Sequence, residues 1–432
     1  MKIKLETMTT AVADSDDGLS VLIRLQSVED GATARAPLNL SVVIDRSGSM
    51  DGEKMHAAKA CALGLLDRMA ENDRLALVQY DSSVETILDL VPVGLARDHA
   101  RQVIEGIHAH GFTDLFAGWR RGAELLATSA YGSAVCHVIL LSDGEANRGE
   151  TSPDRITTVV AELAQRGITT STVGLGTEFN ESLMTAMAQA GKGRAHYGER
   201  AVDLGETFES EMGLLTRLQW RDVRLQVRGP QRGVRMDNPY PRQGDSWQMP
   251  AIAAGSECWA LLNISMEELL RAQGQTGTGL EIVVTATDAE GREQTFLSRL
   301  DPMPVVSLQE WHKMPQNRLV ARRWAELQAA EMQMQLREFV RRGEWTKAER
   351  QLFGLEQVAA QEPWIAASLP FLRQLVLQRD DIRASKELLY KSTSMRSRLA
   401  SLDEDIFVAD AAAKEAAFLR RKSISGRRTG GQ

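Results

Sequence analysis

The sequence predicts an α/β chain: a doubly wound, mainly parallel sheet, followed by a β-sandwich and a C-terminal helical region. Three observations carry this. The stretch from Leu38 to Ser49 opens with a run of β-branched and aliphatic residues too short for a helix and too apolar for a surface strand, as expected of a central strand buried on both faces. From there to about Ser210, strand-like and helix-like segments alternate, the pattern of a parallel sheet covered on both sides. Beyond Arg217 the apolar residues recur with the period of strands, and beyond Val306 with that of helices.

Taken in order, Lys2 to Leu5 and Leu19 to Gln26 read as strands flanking the turn-rich Asp14 to Gly18, and neither belongs to a βα unit. A loop from Asp30 to Arg35 leads into the central strand. Lys54 to Met69 is an Ala- and Leu-rich amphipathic helix, Arg74 to Tyr80 a strand, and Glu85 to Leu90 a short antiparallel strand at an edge. Asp98 to Ile107 and Leu115 to Thr128 read as helices before a buried strand at Val135 to Leu141. Pro153 to Arg166 has proline where a helix start tolerates it and closes on Gly167, a favoured helix-ending residue. Ile168 to Leu175 is the next strand, Asn180 to Ala190 a helix, Arg194 to Tyr197 a short strand and Val202 to Leu215 the last helix of this region.

Val223 to Val227, Glu257 to Ile264, Leu280 to Thr287 and Gln294 to Leu297 alternate as antiparallel strands do, with glycine-rich turns at Gly274 to Gly279 and at Gly291. Four strands make a thin sheet. The two N-terminal strands are expected to complete a sandwich that the α/β domain interrupts. Leu319 to Arg342 and the segment from Trp345 onward read as a helical hairpin or small bundle, punctuated by Pro363 and Pro370. The expected boundaries are 1–36 for the N-terminal strands, 37–215 for the α/β domain, 216–305 for the sandwich, 306–412 for the helices and 413–432 for a disordered basic tail.

Composition sets outer bounds on function. The chain has 432 residues, 43 % hydrophobic and 25 % charged, with a net charge of −7, which is ordinary for a soluble globular protein and does not mark the whole chain as a nucleic-acid binder. Cys61, Cys136 and Cys258 are scattered in apolar surroundings with no Cys-x-x-Cys, so they are expected to be buried free thiols in a reducing compartment. No signal-peptide pattern opens the sequence and no stretch is apolar enough to span a bilayer, which predicts a cytoplasmic protein without a membrane span. In the tail, Lys414, Arg420, Arg421, Lys422, Arg427 and Arg428 face a single Glu415. Such a run is either a solvated tail or a binder of nucleic acid or another anionic surface. No ubiquitin-like pattern precedes its Gly-Gly.

The chemistry concentrates where the central strand ends. Asp45, Ser47 and Ser49 lie at the carboxyl edge of a buried strand, where open α/β sheets place their ligands. One carboxylate and two hydroxyls in a turn suit a small hard cation such as Mg²⁺. The same residues also suit a simpler role, capping the helix that follows. Two further segments bear on the choice: His110-Gly111-Phe112-Thr113-Asp114-Leu115, a loop opening a helix, and Ser142-Asp143-Gly144-Glu145, which ends the Val135 strand. Together the three segments resemble the Asp-x-Ser-x-Ser, Thr and Asp pieces of the metal-ion-dependent adhesion site of von Willebrand factor A domains, over about Pro37 to Leu215. The order with a β domain after the A domain is similar to inter-alpha-inhibitor heavy-chain and bacterial calcium-activated-channel-like A-domain proteins.

The resemblance implies a Rossmann-like fold and a site for Mg²⁺, or Mn²⁺ or Ca²⁺, formed by Asp45, Ser47, Ser49, Thr113 and Asp143. It further implies that Ser47 and Ser49 contact the ion, that Thr113 does so directly or through water, and that Asp45 and Asp143 mainly hold its waters. One coordination position then stays open for an Asp or Glu of a partner protein. Phe112 stands where many family members have glycine, and either shapes the docking face or folds inward as core. Glu145 and Asn147 follow Asp143 and are candidate partner contacts or solvated loop residues; Asp114 reads as a helix cap. By analogy the family also suggests a scaffold beside an AAA+ ATPase or in a signalling assembly.

Enzymatic readings lack their parts. No His-Glu-x-x-His, no phosphate-binding Gly-x-x-x-x-Gly-Lys-Ser/Thr and no Gly-x-Ser-x-Gly occurs, and no base near Ser47 in sequence would make it a nucleophile. The sequence therefore predicts a non-enzymatic, metal-dependent interaction module. The alternative from another class is a metal-dependent hydrolase or phosphatase that uses the same cation as a Lewis acid.

Overall fold

The structure, a computed structural model, describes residues 1–14, 18–27, 35–128, 134–143, 148–176, 179–198, 211–228, 233–270, 280–360, 362–397 and 400–401. The chain divides into two units, residues 34–217 and residues 1–33 with 218–432.

The first unit is the doubly wound domain. Its sheet runs Val84–Pro92, Arg74–Tyr80, Leu38–Asp45, Val135–Ser142, Ile168–Leu175, Lys192–Gly198, with only the first pair antiparallel. Every residue of Leu38–Asp45 is buried, so the strand is apolar on both faces because helices cover both. The chain leaves this strand toward Arg74–Tyr80 on one side and later returns to Val135–Ser142 on the other, so the carboxyl ends of Leu38–Asp45 and Val135–Ser142 flank the point where the winding reverses. That crevice is where such sheets bind ligands.

The helix Leu115–Ala127 shows how sequence sets spacing. Asp114 caps it by accepting a hydrogen bond from the Ala117 N–H at 3.1 Å. Gly118 and Gly122 then lie one turn apart against the sheet, where a Cβ would come within 2.4 Å of the Tyr80 ring and 2.3 Å of Val43 Cγ2. Only glycine lets the helix approach this closely.

The second unit is a β-sandwich with helices packed on it. One sheet contains Lys2–Thr7, Leu19–Gln26, Ser256–Ile264 and Val234–Met236; the other contains Arg242–Gln243, Ser246–Gln248, Leu218–Arg228, Leu280–Thr287 and Glu293–Leu300. Val21, Ile23, Leu25, Cys258, Ala260 and Leu262 of the first share one buried cluster with Val223, Leu225, Val227, Ile282 and Val284 of the second. The strands Val234–Met236 and Ser246–Gln248 are too short to have stood out in the sequence.

The outer face of the first sheet is also buried. Leu22, Trp259 and Leu261 pack against Val320 and Leu327 of the helix Arg318–Arg341. Charged neighbours on that face form a network: Glu257 accepts from Arg24 Nε at 3.0 Å and from Gln26 Nε2 at 2.8 Å, and lies 3.7 Å from the Arg323 guanidinium, which stacks over Trp259.

Among the described residues three further helices follow, Trp345–Ala359, Pro363–Gln378 and Asp381–Ser397, sharing an apolar core with Arg318–Arg341. The expected break at Pro370 does not occur: the residue lies inside Pro363–Gln378. Pro370 itself is exposed, and the helix runs on through it because its flanking Leu369 and Leu372 are held in the shared apolar core. Pro363 occupies the helix start, where its missing N–H costs nothing. All three cysteines are buried thiols outside any disulfide among the described residues. The basic tail and most of the Val202 to Leu215 segment lie outside the described residues.

Candidate metal centre

Asp45 is the last residue of the central strand and is fully buried. Its Oδ1 accepts from the Ser47 backbone N–H at 2.8 Å, and its Oδ2 accepts from the Ser142 hydroxyl at 2.8 Å and the Tyr80 hydroxyl at 3.3 Å. The carboxylate thus ties the turn that follows it to the next strand's end. Ser47 Oγ and Ser49 Oγ are 3.1 Å apart, and Ser49 Oγ donates to Asp143 Oδ1 at 3.0 Å. Asp143 directly follows the Val135–Ser142 strand, so two adjacent strand ends deliver both carboxylates.

The Thr113 loop is stitched to this turn by its backbone. His110 N–H donates to Arg46 O at 2.6 Å, Gly48 N–H donates to Gly111 O at 3.0 Å, and Asp114 N–H donates to Asp81 O at 2.9 Å. Thr113 is buried between these anchors, while Phe112 points outward and is 69 % exposed. The inward reading of Phe112 as core does not hold. Glu145 and Asn147 lie outside the described residues.

Asp81 is a site neighbour that the sequence reading missed. It is fully buried, and its Oδ2 lies 3.0 Å from Arg46 Nε and 2.9 Å from His110 Nδ1. Its Oδ1 accepts from the Ser83 N–H at 2.7 Å and the Ser83 hydroxyl at 2.9 Å. Burial pushes this carboxyl up, but the Ser83 bonds and the Arg46 and His110 charges outweigh it and hold the group below the ordinary carboxylate range. The signal was available: Asp81 follows the Arg74–Tyr80 strand as Asp45 ends its neighbour, an acid at the carboxyl edge of a buried strand.

Chemically, the set is all oxygen: two buried carboxylates and three hydroxyls, of which Ser49 is on an exposed residue. Among the described residues no group of three or more His, Cys, Asp and Glu is placed to hold a metal, and hydroxyl and carboxylate oxygens are the ligand type that hard cations take. Asp45 carries a cost of burial. Burial pushes its carboxyl up to about 6 against the Ser47 and Ser142 hydrogen bonds, and a dication favours the charged form that burial disfavours.

A doubly wound sheet with two carboxylates at its reversal point defines the class of α/β domain to which residues 34–217 conform. Residues 39–209 match the von Willebrand factor type A domain family model. The chain is 27 % identical over 298 residues to the uncharacterised protein sll0103 of Synechocystis sp., a match covering 66 % of this chain and 69 % of that one. It is 29 % identical over 168 residues to inter-alpha-trypsin inhibitor heavy chain H3 of Mesocricetus auratus, covering 37 % of this chain and only 19 % of that protein. The fold resembles that of a von Willebrand factor type A protein from Catenulispora acidiphila, with a TM-score of 0.65, 19 % identity and coverage of 84 % of this chain and 88 % of that one. It also resembles the ArnB paralog VWA2 of Sulfolobus acidocaldarius, with a TM-score of 0.59, 16 % identity and coverage of 91 % and 98 %. Domains of this family typically mediate protein–protein interactions and commonly bind a divalent metal. Among the described residues no helix is long and apolar enough to cross a membrane.

Proposed function

We propose that residues 34–217 form a divalent-metal-dependent protein-binding module, in which Asp45, Ser47, Ser49, Thr113 and Asp143 hold Mg²⁺ or a similar ion and an acidic side chain of a partner completes its coordination. The observation that carries this reading is the continuous Asp45–Ser47–Ser49–Asp143 network at the sheet's reversal point, with the Ser49 residue open to solvent. The bound ion would supply an electrophilic oxygen-seeking centre. Few charged ligands on a dication leave it short of negative charge, and a partner carboxylate supplies what is missing. Asp45 and Asp143 orient the hydroxyls and hold the ion's waters, the Asp81 clasp fixes the Thr113 loop, and exposed Phe112 gives the partner an apolar contact beside the acid.

The test is affinity capture from native lysate in three arms: wild type with Mg²⁺, wild type with EDTA, and Asp45→Ala with Mg²⁺. Proteins retained in the first arm and lost in the other two are the expected partners. An identical catch in all three contradicts the reading.

A further inference from the structure

Lys54 enters the site from the side. It is the second residue of the helix Glu53–Arg68, and its Nζ donates to Asp143 Oδ2 at 2.5 Å while Ser49 holds Asp143 Oδ1. The acid proposed to serve the ion is therefore already paired with a cation of the chain itself.

Two independent features make this contact a built one. A cation in the first turn of a helix runs against the helix dipole, which favours anions there, so local helix preference does not account for a lysine at this position. Its stem is also given a path: Gly176, just past the Ile168–Leu175 strand, has φ +78°, and a Cβ there would stand 2.9 Å from Lys54 Cε. The side chain is only 23 % exposed, and Asp143 is fully enclosed on its side chain. The ammonium is thus held in place beside the hydroxyls.

We propose that Lys54 sets the metal affinity of this site by competing with the divalent ion for Asp143, so that the ion is held firmly only when an incoming carboxylate arrives with it. The inference rests on the metal-binding role proposed above for the same residues. Its physical basis is charge. Among the described residues the Lys54 ammonium pairs with Asp143, so a dication brought to the same carboxylate adds positive charge beside it, and like charges sharing one carboxylate repel. A partner's acid removes that excess, and Lys54, freed from Asp143, is within its own side chain's reach of the newcomer. An acidic residue is then favoured over a neutral oxygen ligand by two cations.

The experiment is calorimetric titration of the full chain with Mn²⁺ alone, on wild type, Lys54→Met, Lys54→Arg and Asp45→Ala. Lys54→Met is expected to tighten Mn²⁺ binding about tenfold, the effect of removing one nearby unit charge in a partly solvated site. Lys54→Arg keeps the wild-type affinity because it keeps the charge, and Asp45→Ala abolishes binding. Lys54→Gln, which keeps a donor for Asp143 without the charge, is read in the same way if the Met variant does not fold. Equal or weaker Mn²⁺ binding in the folded charge-removed variant overturns the role of Lys54 while leaving the metal site standing. Absence of binding in every protein, wild type included, overturns the metal site and this inference together.

Discussion

Ser49 donates its hydroxyl to Asp143 at 3.0 Å although 94 positions separate them in the chain. The contact exists because Leu38–Asp45 and Val135–Ser142 are parallel neighbours whose carboxyl ends coincide, so a turn after one strand meets the acid after the other. Asp143→Asn keeps the shape and removes the charge. It is expected to weaken Mn²⁺ binding about 10–100-fold, the range for losing a group that supports a bound ion, as read by calorimetric titration of the folded variant.

Asp81 acts on the same site through the loop it holds. Replacing it by Asn leaves Arg46 and His110 without the carboxylate that draws them together. The expected result is a loss of about tenfold in Mn²⁺ affinity with the ligand residues all intact. The check pairs the titration with near-ultraviolet circular dichroism, which should stay native.

Phe112 is expected to separate binding from folding. As a side chain 69 % exposed, its replacement by Ala should change unfolding free energy by no more than about 0.5 kcal/mol and leave Mn²⁺ affinity unchanged. Partner retention in the Mg²⁺ capture arm should fall. Unaltered retention would remove Phe112 from the docking face.

Glu211 predicts a pH limit on the first unit. Burial pushes its carboxyl up, yet the His137 ring 3.5 Å away, the His196 ring at 3.2 Å and the nearby His196 and Arg194 charges outweigh it and hold the group well below the ordinary range. Ser171 also donates to it at 2.6 Å. A depressed carboxyl stabilises the fold fully above its unfolded value of about 4.3, and this contribution is lost as pH falls through the lower folded value. Glu211→Gln is therefore expected to cost about 2–3 kcal/mol at pH 7 and to flatten the loss of stability below about pH 4.3. Thermal unfolding across pH 3 to 7 measures both.

Glu257 tests the join between sandwich and helices. Its side chain is 1 % exposed and is held by Arg24, Gln26 and Arg323. Glu257→Ala leaves Arg24 with Glu6 and Arg323 with Glu326 but removes the acid both guanidinium groups share, and is expected to destabilise that unit by about 1–3 kcal/mol in urea unfolding.

The legible parts of this molecule are those with a local cause. Leu38–Asp45 was readable because a buried strand must be continuously apolar, and Asp45 because polarity at its end has a cost that only a site or a cap explains. Asp114 was readable as a cap for the same reason. Glu257 shows what local pattern cannot carry. Alternation along Ser256–Ile264 marks one apolar face, but Glu257, Trp259 and Leu261 occupy the other, which is buried only because a helix far along the chain returns to cover it. Lys54 likewise reads as an ordinary charged position of an amphipathic helix until the fold brings Asp143 to it. Pro370 misled for the opposite reason: the local rule that proline ends a helix yields here to the packing of Pro363–Gln378 on its apolar core.

The most direct measurement is calorimetric titration of the full chain with Mg²⁺ and Mn²⁺, wild type against Asp45→Ala. One ion bound per chain by the wild type, and none by the folded variant, is the predicted result. A wild type that takes up neither ion at millimolar concentration, or an Asp45→Ala protein that binds as the wild type does, contradicts it.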